Sequence, residues 1–225
     1  LATLYLFNAE IAAIRDRIHE PMPGEIRIQW WRDALAAGEG GGHPLAEALV
    51  GVVRRYGLPV DALDRYLEAR IFDLYDDPMP ARADLEGYLG ETASALIQLA
   101  ALVLEPEAAP AFAEAAGHAG CAQGIAGLLR LLPLHRARGQ CFLPADLLAA
   151  AGMTRDSLLA RDDRVGAARA VIAMVALGRD HAARFEAAAR GMPAALRSAF
   201  LPAALAPTYL DRVARLGAAA LTQPA

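Results

Sequence analysis

An all-α fold is predicted for this chain by three observations. Apolar residues recur at helical spacing almost throughout, no stretch sustains a two-residue alternation, and Pro and Gly clusters cut the pattern into helix-sized pieces. The first helical segment, with Tyr5 and Phe7, stops at Pro21 and Pro23. The second carries Trp30 and Trp31 and ends in the Gly38–Pro44 loop. Stops at Gly57-Leu58-Pro59, Asp76-Asp77-Pro78 and Glu105-Pro106 close the next three, and Pro133 to Pro144 makes a longer interruption. Gly152, Gly191–Pro193 and Pro202–Pro207 separate the last helices. No internal repeat is expected, and no disordered linker beyond Gly38–Gly42 and the last few residues.

At 225 residues the chain can bury one sizeable core, and nothing in its composition demands two domains, so residues 1–225 are read as one domain. The hydrophobic fraction of 56% is high but rich in Ala, which favours close helix packing. No uninterrupted apolar run approaches the roughly 20 residues that a bilayer-spanning helix needs. Ala95–Leu104 and Ala170–Leu177 read as core helices, and a peripheral membrane contact stays open. A net charge of −4 argues against non-specific nucleic-acid binding, which needs a dominant basic field. All the basic side chains except His are Arg. Cys121 and Cys141 lack C-x-x-C spacing, so two free thiols in a reducing compartment are expected, with a cytoplasmic location, or the mitochondrial matrix if the source is eukaryotic. The chain starts at Leu1 with neither signal peptide nor initiating Met, which leaves room for a preceding piece.

The densest motif runs from Gln123 to Pro144 and contains Arg130, Leu131, Pro133, His135, Arg136, Arg138, Gly139, Phe142, Leu143 and Pro144. It resembles the second signature of the squalene/phytoene synthase family, approximately N-I-L-R-D-x-x-x-D-x-x-x-G-R-x-Y-L-P. Arg130, Gly139, Leu143 and Pro144 fall in register and Phe142 stands at the usual Tyr. Leu131 and His135 occupy the two aspartate positions, and Gly127 the Asn. Carboxylates at i and i+4 share a helix face and can jointly hold Mg²⁺ against a diphosphate. Leu131 supplies no ligand, imidazole suits Mg²⁺ poorly, and Pro133 in a helix interior would kink the segment.

Tyr5 to Arg17 resembles the family's first signature, Y-x-F-C-R-x-x-D-D-x-x-D-E, through Tyr5, Phe7 and Asp16. Ala12 and Ala13 stand at the paired acids and Arg17 at the closing Glu. Weaker matches follow in order at Trp30-Trp31-Arg32-Asp33, at Ala69 to Leu74 with Asp73, and at Tyr88. Glu20 to Trp31 and Gly117-His118-Ala119-Gly120 are most similar to a divergent branch of the family that includes a mitochondrial complex I assembly factor. The resemblance implies a single-domain isoprenoid synthase-like helical bundle around a central cavity, with Trp30, Trp31, Tyr88 and Phe142 packed inside it or lining it.

Asp73, Asp76 and Asp77 precede Pro78 and read as turn formers. His118 and His135 read as packing residues, and Asp180 with His181 as part of a charged helix face. Arg15, Arg17, Arg130, Arg136 and Arg138 surround the two motifs, so a cationic cavity mouth is expected; pairing with Glu10, Glu20 and Asp146 on the surface is the competing reading. Since Arg grips phosphate without a metal, Arg15, Arg130, Arg138, His135 and Tyr88 are the candidate ligand-binding residues, with no metal site and no cofactor. Arg130, if it faces the cavity, should meet an anionic head group or an internal acid such as Asp16 or Asp73.

The resemblance thus implies a non-catalytic binding or respiratory-complex assembly protein that holds an isoprenoid or phosphorylated lipid. The alternative is an active prenyltransferase condensing farnesyl or geranylgeranyl diphosphate with Mg²⁺, which would have to work through Asp16, Asp73, Tyr88 and Arg130.

Overall fold

The structure, a computed structural model, describes residues 1–160 and 162–223. Among these residues there are twelve α-helices and no strand. They are α1 (Ala2–Ala12), α2 (Pro21–Ala37), α3 (Pro44–Tyr56), α4 (Val60–Arg70), α5 (Arg82–Leu89), α6 (Ala95–Leu104), α7 (Ala113–Arg130), α8 (Leu132–Ala137), α9 (Ala145–Ala150), α10 (Arg155–Ala160), α11 (Arg164–Ala188) and α12 (Ala206–Leu216). Pro21 and Pro44 open α2 and α3, where their fixed φ and missing N–H fit the first turn. Gly38 and Gly57 close the same helices in the left-handed conformation, at φ 69° and 59°. Asp163 caps α11 by accepting from the N–H groups of Val165 and Gly166.

Three of the expected local features come out differently. Pro133 does not kink a continuous helix: α7 stops at Arg130, Leu131 forms a joint, and Pro133 lies in the first turn of α8. A proline lacks the N–H that would bond to the preceding turn, so the chain restarts there instead. The Gly38–Gly42 segment is tied down, with Glu39 N–H on the Ala34 carbonyl, His43 N–H on that of Gly40, and Gly42 N–H on the Glu47 carboxylate. The expected disorder of the last few residues falls partly on 224–225, outside the described residues.

The third concerns the apolar segment Ala95–Leu104. A π-helical turn, Gly90–Ser94, joins α5 to α6, so the two form one helix over Arg82–Leu104. At 23 residues, with an 18-residue stretch of mean hydropathy 1.4, it is long and apolar enough to cross a membrane by length and composition alone. In the fold it packs against α7, with Ile97, Leu99, Ala100 and Ala101 buried. The π turn sits against α7 so closely that a Cβ on Gly120 would come within 2.3–2.4 Å of Ser94. The Ser94 hydroxyl in turn donates to the Gly117 carbonyl at 2.8 Å.

α7 and α11 form the central pair of the bundle. One core cluster gathers Leu85, Ile125, Leu129, Met174 and Leu210 around them, and a second joins α1 to α4 through Leu4, Phe7, Trp31, Leu49, Tyr66 and Leu67. Each such large apolar side chain contributes about 1.5–3 kcal/mol by leaving water. Trp31 is 1% exposed and meets Phe7 edge-on at 5.2 Å. Trp30 corrects the expectation that both tryptophans lie inside. It is 37% exposed, against Trp31 and His43 at the surface, because adjacent helix residues point about 100° apart. Arg32 bridges α2 to α4 by two bonds to Asp64 and one to Glu68.

Candidate functional site

α4 ends at Arg70 and tightens into the 3-10 turn Ile71–Leu74, which brings Asp73 back beside Arg70. The Arg70 guanidinium donates to Asp73 at 3.0 Å, to the Tyr88 hydroxyl at 3.3 Å and to the Asn8 side-chain amide oxygen at 3.1 Å. Tyr88 donates to Asp73 at 2.6 Å, and Tyr66 to Asn8 at 2.8 Å. Burial opposes the charge on Arg70, but the facing Tyr66, Tyr88 and Asp73 more than offset it, so the guanidinium is held firmly protonated. Burial, and then the Asp73 carboxylate, push the Tyr88 phenol well above its ordinary value. Asp73 is therefore more than a turn former: it is the acceptor at the centre of a closed polar cluster.

This cluster forms one wall of an outer cavity of about 390 Å³. α1 contributes Ala9 and Ala12, and Ala13, Arg15 and Asp16 follow; α7 and α8 contribute Leu128, Leu134 and His135, with Leu131 between them; Arg138, Gln140 and Phe142 complete the lining. Phe142 stands 5.9 Å from Phe72, 6.1 Å from Tyr88 and 4.8 Å from His135. Burial among these rings lowers the His135 pKa to about 4, which leaves it neutral at physiological pH. Parts of the motif regions around Asp16, Asp73, Tyr88 and His135 thus meet at one place.

The cavity mouth is not the cationic one expected, because each guanidinium faces a carboxylate. Arg138 binds Asp16 at 2.6 Å, Arg15 lies 3.4 Å from Asp76, and Arg70 holds Asp73. Arg17 pairs with Glu10 as the surface reading proposed, whereas Glu20 and Asp146 take none of these arginines. Arg136 serves the fold, donating to the carbonyls of Leu159 and Leu221. Arg130 reaches neither Asp16 nor Asp73. It is exposed at the end of α7, its guanidinium 5.1 Å from the centre of the Tyr209 ring, beside a different cavity.

Mg²⁺ takes several oxygen ligands in near-octahedral geometry and needs carboxylates free to turn toward it. Asp16 and Asp73 do not fit that need: Asp73 is held in a buried pair by Arg70, and Asp16 has only Ala12, Ala13, Leu131 and His135 at the other motif positions in the cavity. Among the described residues no group of three His, Cys, Asp or Glu side chains is placed to hold a metal ion.

Sequence reasoning missed Arg70, Asn8 and Tyr66 as members of the cluster. The signal available was the i, i+3 spacing of Arg70 and Asp73 at a helix end. It also missed a second polar cluster, because His181 is buried rather than part of a charged face. The Nδ1 atoms of His181 and His118 lie 3.0 Å apart, and His181 Nε2 is 3.1 Å from Glu86. Cys121 and Cys141 are free and buried, and burial pushes the Cys121 thiol up to about 11.

A helical bundle in which two motif regions and an aromatic floor enclose one cavity is the architecture of an isoprenoid synthase-like protein. The sequence profile of squalene/phytoene synthase matches residues 1–225, and the chain belongs to that family. It is 29% identical over 218 residues to NADH dehydrogenase (ubiquinone) complex I, assembly factor 6, of Mus musculus, covering 96% of this chain and 65% of that protein. The bifunctional protein CrtB/UppS of Streptomyces coelicolor is 34% identical over 157 residues, covering 67% of this chain and 28% of that one. The chain therefore spans about two thirds of the mouse assembly factor's length. The crystal structure of squalene synthase HpnC from Alicyclobacillus acidocaldarius superposes with a TM-score of 0.78 at 19% identity, over 96% of this chain and 82% of its own, and shares the fold.

Proposed function

We propose that this chain is a non-catalytic member of its family that assists assembly of a complex I-type NADH dehydrogenase and holds a lipid in its cavity. The observation that carries the non-catalytic part is the scarcity of available acids at the cavity: Arg70 and Tyr88 hold Asp73 in a buried cluster, and Ala12, Ala13, Leu131 and His135 line the cavity beside Asp16, whose pair with Arg138 is solvent-exposed. Ionising an allylic diphosphate calls for metal ions that neutralise the leaving group. One exposed carboxylate and one committed to a buried arginine are a poor ligand set for those ions. The prenyltransferase alternative has the CrtB/UppS likeness in its favour, but it needs Arg130 to work beside Asp16 and Asp73, and Arg130 borders another cavity.

Support for the assembly role comes from the likeness to the assembly factor over nearly the whole chain. Two measurements test the reading. Purified protein with farnesyl or geranylgeranyl diphosphate and Mg²⁺ is expected to release no diphosphate, and turnover that requires Mg²⁺ would overturn it. Deleting the gene should reduce assembled NADH dehydrogenase on native gels, and unchanged assembly would remove the assembly role.

A further inference from the structure

The outer cavity is one of three that adjoin in a row. Arg70, Tyr88 and Leu128 line both it and an inner cavity of about 380 Å³. Gln123, Gly127 and Pro202 in turn line both the inner cavity and a third, of about 230 Å³, which Arg130 and Tyr209 border. The two ends of the row differ in charge. At the outer end Arg15, Arg70 and Arg138 each face a carboxylate. At the other end, among the described residues, none lies within ion-pair distance of Arg130, which rests only on the Tyr209 ring. Leu205, on the rim beside it, is 58% exposed.

We propose that the three cavities form one passage whose ligand-binding charge lies at the Arg130 end. An anionic lipid rests its acid group on Arg130 and directs its apolar chain inward past Gly127 toward the Arg70–Asp73–Tyr88 wall. A guanidinium stacked on an aromatic face keeps its N–H groups free for a phosphate or carboxylate. Gln123 makes no side-chain hydrogen bond among the described residues and stands at the neck shared by the two cavities, two helical turns before Arg130 on α7. The wall at the inner end turns no unpaired charge toward a hydrocarbon chain, because its cluster is closed on itself. At roughly 30 Å³ for each water-sized group, the inner cavity holds on the order of a dozen carbon atoms. The head group is thus placed at the end of the passage opposite the two motifs.

This inference rests on the chain being a lipid binder, and its test separates the two ideas. Farnesyl monophosphate is titrated calorimetrically without Mg²⁺, against farnesol, which has the chain alone, and inorganic phosphate, which has the charge alone. Farnesyl monophosphate should bind about tenfold or more tightly than either. Arg130→Gln should reduce its affinity to that of farnesol, while Arg138→Gln leaves it within about twofold, the scale of one charged hydrogen bond being tenfold. A Cβ at Gly127 meets nothing within 4 Å, so Gly127→Leu should fold, and its side chain should block both lipids. Four outcomes overturn the proposal: equal binding of farnesol or of free phosphate, indifference to Arg130→Gln or Gly127→Leu, loss of affinity on Arg138→Gln, or no binding by any probe. Mg²⁺-dependent release of diphosphate would instead defeat the non-catalytic reading and leave the position of the head group to these variants.

Discussion

Arg70 and Asp73 form a 3.0 Å ion pair in which both side chains are no more than 17% exposed, and the Tyr88 hydroxyl bonds to both. Arg70 lines both the outer and the inner cavity and Asp73 the outer one, so the pair governs the charge at their shared wall. A carboxylate there without its arginine would be an attractive cation ligand. With the arginine it is part of the framework.

Removing one partner of a buried pair leaves the other uncompensated. Arg70→Leu and Asp73→Leu should each lower the unfolding free energy by about 2–4 kcal/mol, and the double variant should lose at least ~1 kcal/mol less than the sum of the two. Urea unfolding at neutral pH measures all three. Strict additivity would show that the pair is not coupled.

The Arg138–Asp16 pair is shorter, at 2.6 Å, but its side chains are 36% and 54% exposed. Solvent screening and side-chain entropy leave such a contact worth under about 1 kcal/mol despite its length. Arg138→Gln should therefore shift the urea midpoint far less than Arg70→Leu does, and a comparable loss would contradict this ranking.

The helical pattern was legible because periodicity and breakers are local properties, and Pro21, Gly38, Pro44 and Gly57 do mark helix ends. Of the motifs at Tyr5–Arg17 and Gln123–Pro144, Asp16, His135 and Phe142 line the outer cavity, while Tyr5, Gln123 and Arg130 line others. Sequence alone could not show which acid each arginine meets, since that depends on how α1, α4 and α8 are placed. Arg130 illustrates the limit: it keeps the family register, yet the helix break at Leu131 separates its surroundings from those of His135. His181 was misread for a related reason. Its neighbours Asp180 and Arg184 pair on the surface, while the ring itself turns inward to Glu86 and His118.

Stability should fall on mild acidification, and His135 supplies the largest resolved part of the effect. Its folded pKa of about 4 lies below the ordinary value of roughly 6.5, so the unfolded chain takes up the proton first as pH falls. The contribution is complete above about pH 6.5 and is lost progressively toward pH 4, amounting to roughly 2–3 kcal/mol over the window. Burial, and then the neighbouring His181 and Arg184, also lower the His118 pKa, which adds a change of the same sign. Urea unfolding at pH 7 and pH 5 should show the loss, and His135→Gln should make it shallower. An NMR titration placing His135 near 6.5 in the folded protein would contradict the prediction.

The contact between Gly120 and Ser94 gives the most direct test of how α7 is held. An added Cβ would lie 2.4 Å from both the Ser94 N and Cα atoms, and backbone atoms cannot turn aside as a side-chain tip can. Gly120→Ala should therefore force α7 away from the π turn, at a cost of about 2–4 kcal/mol. Gly117, three residues earlier on the same helix, is the control, because a Cβ there meets nothing within 4 Å. Gly117→Ala should be neutral or stabilise by up to about 1 kcal/mol through helix propensity. The two variants make the same chemical change in one helix with opposite expected signs, so thermal unfolding of the pair distinguishes close approach from propensity. Gln123, Gly127 and Arg130 follow on α7, so the displacement in Gly120→Ala should also weaken farnesyl monophosphate binding, while Gly117→Ala leaves it intact. Equal melting temperatures for the two variants would mean that α7 does not approach the π turn as closely as the structure places it.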